Sequence, residues 1–370
     1  MHNTEVWQFS LGAVHAAMWG GSLLVALVIF SRFVTLRALS VAALVATLAL
    51  VMLGAYVRLT DAGLGCPDWP GCYGKLSPTH AAEQIEAAQT AAPNGPVSLP
   101  KAWREMIHRY CASFVGVMIL AIAIQALTYR RKRAGDPDDP RRAIGLPIAL
   151  VVLVVLQGLF GKWTVTLLLR PVIVTLHLLG GMALVALLAW LSARHLQPTG
   201  GLPSTLRGIR PIAVIGLITL VAQIALGGWV STNYAALACV DFPTCHGAWK
   251  PITDFAQGFH FFRELGMTAE GESLSNEALN AIHWTHRVGA LTTFLILMFV
   301  AYRTRQLPAL RRFGVIVMAL LFLQVTLGII NVTGSLPLPV AVAHNGVAAL
   351  LLAALVMLNF ATRSPSAFGR

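Results

Sequence analysis

The sequence predicts an all-α integral membrane protein made of two pseudo-symmetric four-helix transmembrane bundles plus one extra N-terminal span. Three observations predict it: long uncharged apolar runs, positive charge gathered in short connections, and the recurrence of a cysteine loop and a histidine pair. Of the 370 residues, 56% are hydrophobic and 11% charged, whereas roughly a quarter are charged in a soluble domain. Val41 to Val57, Ile144 to Leu159 and Phe313 to Leu327 carry no charge and approach the length that crosses a bilayer, about twenty residues at a rise of about 1.5 Å. Such runs must be helical, because a lipid-exposed backbone has to satisfy its own hydrogen bonds.

Spans are expected near 10–30, 38–59, 104–129, 145–166, 171–194, 211–231, 281–302, 313–333 and 338–361. A net charge of +12 would suggest nucleic acid in a soluble chain, but here Lys and Arg punctuate the spans. Placing 31–37, 130–144, 195–210, 303–312 and the tail after 361 in the cytoplasm gathers more than half of the 27 Lys and Arg on that side. The long loops near 60–103 and 232–280 then face outward, and no nucleic-acid partner is expected. The start, Met1-His2-Asn3-Thr4-Glu5-Val6, lacks a basic signal or an Arg-rich transit character, so the expected location is a bacterial inner membrane.

Self-similarity sets the organisation. Cys66-Pro67-Asp68-Trp69-Pro70-Gly71-Cys72-Tyr73-Gly74 matches Cys239-Val240-Asp241-Phe242-Pro243-Thr244-Cys245-His246-Gly247 at an offset of 173, as do Leu53-Gly54 and Val57 with Leu226-Gly227 and Val230. His108-Arg109 returns as His286-Arg287 at an offset of 178; Gln157, Gly161, Val165-Thr166 and His177 return as Gln324, Gly328, Val332-Thr333 and His344 at 167. Each change of offset falls in a connection. The division is therefore 1–37 as an extra span, 38–196 as an N-terminal half and 197–370 as a C-terminal half, related by an axis along the membrane normal.

His108, His177, His286 and His344 lie within spans, where ionisable side chains are rare and usually functional. All four sit toward the outer face. Each half thus offers two imidazoles at similar depth from two helices, the arrangement that holds a haem edge-on in a bundle. A structural zinc would want four ligands. The four loop cysteines form two C-x5-C pairs, Cys66 with Cys72 and Cys239 with Cys245, each expected to close on itself as a staple, with a redox role as the alternative. Cys111 reads as an inert buried thiol.

The halves differ at one position. Glu105 stands three residues before His108, on the same helix face, and its counterpart before His286 is His283. Glu105 is a candidate base or an interfacial residue favoured by the helix dipole; His283 is a spare ligand or a hydrogen bonder. Arg58, Arg109 and Arg287 suit haem propionates or lipid headgroups equally. The stretch 254–265, with Phe255, Phe259, Phe261 and Phe262, reads as an interfacial helix over the second bundle, with His260 exposed rather than liganding.

Glu105-x-x-His108-Arg109, Gly63-Leu64-Gly65-Cys66-Pro67-Asp68-Trp69-Pro70, His177, the second cysteine loop, His286-Arg287 and His344 together resemble the haem A synthases. The resemblance covers nearly all of 38–361; only the span near 10–30 departs from the usual eight-helix pattern. It implies an oxidoreductase that converts the C8 methyl of haem O to the formyl of haem A through an alcohol. Glu105 would be catalytic, His108 and His177 would bind the substrate haem, and His286 and His344 would hold a resident haem b. Implied partners are a haem O synthase, an electron-transfer partner, terminal oxidase assembly factors and membrane lipid. The alternative is a di-haem b membrane cytochrome that only transfers electrons, which gives Glu105 no task.

The charge bias carries its own test. Single cysteines placed in a cysteine-free variant within 75–100 and 250–275 are expected to react with an impermeant thiol reagent on intact cells, and those within 133–140 to stay unlabelled. Labelling of 133–140 would invert the topology.

Overall fold

The computed structural model describes residues 34–132, 143–196 and 208–363, and the expected span near 10–30 lies outside them. Among the described residues, eight helices are long and apolar enough to cross a membrane. They are α1 (Leu36–Leu59), α3 (Leu99–Lys132), α4 (Gly145–Thr166), α5 (Pro171–Leu196), α6 (Arg210–Thr232), α8 (Asn276–Arg305), α9 (Arg311–Thr333) and α10 (Leu338–Ala361). Two short helices, α2 (Ala82–Ala91) and α7 (Phe255–Gly258), lie in the long connections. No strand occurs among the described residues, only isolated bridges. The chain is therefore an all-α, multi-pass membrane protein.

Helix starts follow local chemistry. Ser275 caps α8 by accepting the Ala278 N–H at 3.2 Å, with Glu277 in the first turn, and α6 and α10 each carry a proline in the first two positions, where no amide hydrogen is needed. Both α3 and α8 begin five residues earlier than their expected spans, so His108 and His286 sit nearly three turns into their helices.

The backbone repeats in the same register as the sequence. Eight non-glycine residues among those described have positive φ, and they fall into four pairs: Asp61 with Tyr234, Tyr73 with His246, Leu168 with Ser335, and Leu169 with Leu336. The first two pairs keep the offset of 173 and the last two the offset of 167. A left-handed L-residue is costly, so the chain has retained the same costly turns twice.

The described chain forms two compact units, one from the residues up to Ala46 with Val57–Leu167, the other from Thr47–Tyr56 with Leu168 onward. In the first, α3 packs on α4, and the long connection between α1 and α3 folds over Cys66, Cys72, Ala81, Ile85, Ala102 and Met106, all buried. Gly65 allows this approach, since a Cβ there would lie 2.6 Å from the Lys101 carbonyl carbon. Arg58 pairs with Asp61 at 3.6 Å.

In the second unit, α6, α8, α9 and α10 pack in a ring, with α5 against α6 and α10. The centre is α10, 61% of whose apolar stretch is buried against at most 39% in the other seven spans. Glycines set the close approaches: a Cβ on Gly216 would lie 3.0 Å from Leu297 Cδ2, and one on Gly228 2.9 Å from Leu178 Cδ2. Asn359, buried on α10, donates to the Ala213 carbonyl at 3.0 Å and ties α10 to α6.

Two expectations are corrected here. The interfacial helix over 254–265 is a single turn, Phe255–Gly258, because the chain is pinned at Gly258: its carbonyl accepts the Trp229 indole N–H at 2.9 Å, and a Cβ there would fall 2.7 Å from the Ala278 oxygen. Beyond the turn, Phe261 and Phe262 are exposed, as is His260, while Arg263 is buried beside Trp229 and donates to Asn233 Oδ1 at 2.5 Å. Cys111 is exposed, not buried: it lies on α3 between Tyr110 and other residues that are themselves open to the surroundings, such as Phe114.

At the turn joining α8 to α9, a Cβ on Gly314 would meet the Arg305 amide nitrogen at 2.6 Å and the Ala301 oxygen at 2.7 Å, both backbone. Gly314→Ala is therefore expected to cost about 1–3 kcal/mol of stability, read as a lower melting temperature in detergent. An unchanged melting temperature would show that the turn relaxes freely.

Candidate functional site

Each unit builds the same clamp between a histidine-bearing helix and a disulfide loop. Cys66 bonds to Cys72 and Cys239 to Cys245, with Cα separations of 4.9 and 4.8 Å. Each loop ends in a tight turn whose two central residues, Tyr73-Gly74 and His246-Gly247, both have positive φ. The preceding aspartate receives both turn amides: Asp68 from Tyr73 and Gly74 at 2.6 and 2.7 Å, Asp241 from His246 and Gly247 at 2.6 and 2.9 Å. Together with the Thr244 hydroxyl, these bonds hold the Asp241 carboxyl well below the usual carboxylate range.

An arginine bolts each loop to its helix. Arg109 donates to the carbonyls of Asp68 and Gly71 at 2.8 and 2.5 Å, and Arg287 to those of Asp241, Thr244 and Cys239 at 2.8, 2.7 and 2.7 Å. One turn back stands the residue that differs. Glu105, buried at 5% exposure, accepts from the Cys66 amide at 2.9 Å and from Arg109 at 2.5 Å. His283, also buried, stands in the same place, with Nδ1 3.2 Å from the Cys239 amide and Nε2 3.2 Å from Arg287 Nε, and a neutral imidazole accepts at one of these nitrogens and carries its hydrogen on the other. A carboxylate and an imidazole thus fill one structural role.

In the second unit, His286 lies on α8 and His344 on α10. Each ring lies over a glycine of the neighbouring helix: a Cβ on Gly227 or on Gly328 would come 3.1 Å from Cε1 of His286 or His344. One turn before each glycine stands a glutamine. Gln223 Nε2 lies 2.9 Å from His286 Nδ1 and donates to the His286 carbonyl at 3.0 Å, and Gln324 Nε2 lies 3.2 Å from His344 Nε2. His344 Nδ1 is buried with no hydrogen-bond partner among the described residues, as is His177 Nδ1. His108 lies on α3 of the first unit and His177 on α5 of the second.

Residues 37–356 match a family model described as cytochrome oxidase assembly protein. A protein of Shewanella oneidensis named heme A synthase is 42% identical over 319 residues, covering 86% of this chain and 93% of its own length. Proteins of the same name from Caulobacter vibrioides and Granulibacter bethesdensis are 30% and 28% identical, covering 90% and 84% of this chain and 97% and 82% of their own. The chain belongs to the haem A synthase family.

The residues present fit the haem that a haem A synthase handles. In the second unit two partly buried imidazoles from different helices each pack over a glycine of a neighbouring helix, and His344 keeps an Nδ1 with no partner among the described residues, which is the donor set a haem iron takes. Among the described residues no group of three or more His, Cys, Asp or Glu is placed to hold a metal ion, so iron would enter with its porphyrin. Arg109 and Arg287, which suited propionates or headgroups by sequence, spend their guanidinium groups on loop carbonyls.

Sequence reasoning gave no task to Asp68, Asp241 or the helical Gln-x-x-x-Gly pairs. All but Gln223 were visible as repeated positions; the signal for Gln223 was a polar side chain inside an apolar span.

Arg287→Ala leaves three loop carbonyls without their donor, a loss of about 1–3 kcal/mol for each group left buried. A lower melting temperature and faster proteolysis within 239–247 are expected, with partial recovery in Arg287→Lys, which offers a point charge in place of a fork. Wild-type proteolysis in Arg287→Ala would show that the disulfide alone holds the loop.

Proposed function

We propose that this chain is a membrane oxidoreductase that converts haem O to haem A, with Glu105 as the base. The observation that carries this reading is the exchange of Glu105 for His283 within otherwise matching clamps. The first unit keeps a buried carboxylate one turn from a histidine, and the second replaces it with an imidazole. The reaction R–CH3 + H2O → R–CHO + 4 e⁻ + 4 H⁺ requires protons to leave the attacking water and the methyl carbon, and a buried carboxylate fixed in place by Arg109 is suited to accept them.

By register His108 and His177 stand where His286 and His344 stand, and we assign the first pair to the substrate's iron and the second to a resident haem b. With both imidazoles on the substrate iron, no position is open to dioxygen, which favours water as the attacking group. The resident haem would supply one-electron chemistry and pass electrons to an external acceptor. Glu105, fixed by the Cys66 amide and by Arg109, stays in place as protons move. The cysteine loops and the histidines lie toward the outer face on this reading, the periplasmic side of a bacterial inner membrane. A haem O synthase, an electron-transfer partner and terminal oxidase assembly factors complete the set.

Pigments extracted from the purified protein and separated chromatographically test the reading. Haem O or haem A is expected beside haem B; haem B alone would make the protein an electron-transfer cytochrome. Gln at position 105 can still accept the Cys66 amide, so Glu105→Gln is expected to fold and bind haem O while haem A output falls about a hundredfold or more. Near-normal output from Glu105→Gln would leave Glu105 a purely structural residue.

A further inference from the structure

The four helices that face the histidines by register carry a recurring pattern with one exception. Gln223-x-x-x-Gly227 on α6, Gln324-x-x-x-Gly328 on α9 and Gln157-x-x-x-Gly161 on α4 share it, and α1 has Leu50-x-x-x-Gly54. Gln223 is thus present where the other half has leucine. Its side chain is seated by a second difference. A Cβ on Gly289 would fall on Gln223 Oε1 and lie 2.9 Å from Leu226 Cδ1, and the residue matching Gly289 in the first half is Cys111. By sequence register, Gln223 and Gly289 stand at the positions that Leu50 and Cys111 hold in the first half.

The amide is held in a defined way. Its nitrogen donates to the His286 carbonyl at 3.0 Å and lies 2.9 Å from His286 Nδ1, while Oε1 is buried with no hydrogen-bond partner among the described residues. A buried carbonyl oxygen left without a donor is costly unless a donor arrives. An imidazole that gives Nε2 to iron carries its remaining hydrogen on Nδ1, and that hydrogen needs an acceptor. Rotation of the Gln223 amide would offer Oε1 to that hydrogen in exchange for the bond from Nε2 to the His286 carbonyl.

We propose that Gln223 is a positioning residue for His286, found only in the C-terminal half, and that it lowers the reduction potential of the haem held there. The proposal rests on His286 and His344 as the axial pair. An acceptor on Nδ1–H increases the electron donation of the imidazole and stabilises ferric over ferrous iron. The other half, with Leu50, lacks this contribution at the corresponding place, so the two haem sites differ in potential by construction.

Redox titration of the haem in purified wild-type, Gln223→Leu, Gly289→Ala and His286→Ala protein tests this. His286→Ala is expected to lose the low-spin b-type spectrum; if it keeps it, the axial assignment fails and the proposal with it. If that spectrum is lost as expected, Gln223→Leu should retain a low-spin haem at higher potential. A tenfold loss of ferric preference reads as a rise of about 59 mV for a one-electron couple. Gly289→Ala, which displaces Oε1 while leaving the glutamine in place, should move the potential the same way. Potentials equal to or below wild type in both variants, with the spectrum intact, would overturn the role of Gln223 and leave the axial assignment standing.

Discussion

A guanidinium group one residue past a histidine holds the loop end of each unit together. Arg109 and Arg287 reach from the helix into the cysteine loop and donate to carbonyls that no helix or sheet would otherwise pair. Irregular backbone beside an apolar bundle is tolerable only when its polar groups are satisfied from within the protein. The disulfide shortens the loop, the aspartate satisfies its turn, and the arginine fastens the result to the helix that bears the histidine. The placement of Glu105 and His283 follows, because both accept from the amide of the first loop cysteine.

With the scaffold fixed twice, function is divided by a few substitutions. Exchanging a carboxylate for an imidazole under the loop changes the chemistry at that position while the same amide and the same arginine stay beside it. Exchanging leucine for glutamine places an amide 2.9 Å from the His286 ring where the other half has an apolar side chain. Both changes exploit the high cost of an unpaired polar group in an apolar interior, which makes a single amide or carboxylate decisive there.

The sequence made the architecture legible because bilayer length, charge placement and a repeated motif are coarse, redundant signals. The ends of α4, α9 and α10 fell within two residues of expectation, and both cysteine pairs closed as read. The misreadings share a cause. Arginines near a membrane surface have several adequate partners, and only the folded loop shows that Arg109 and Arg287 choose carbonyls. The phenylalanines of 254–265 fit an amphipathic helix as well as an irregular segment, and the hydrogen bond from Trp229 to Gly258 decides between them. Cys111 looked buried because its residue type usually is, whereas its helix face is not. Gln223 was overlooked because no repeated counterpart drew attention to it.

The paired left-handed residues have a consequence for how such a molecule can diverge after a gene has doubled. Asp61 and Tyr234, or Leu168 and Ser335, share no side-chain chemistry, yet they share the sign of φ. A side chain can be exchanged singly and its neighbours can adjust, but reversing the hand of a turn redirects the whole following helix. Torsional inheritance is therefore slower to erode than amino-acid identity, and kinship between two segments of one chain can outlast any visible likeness in their letters.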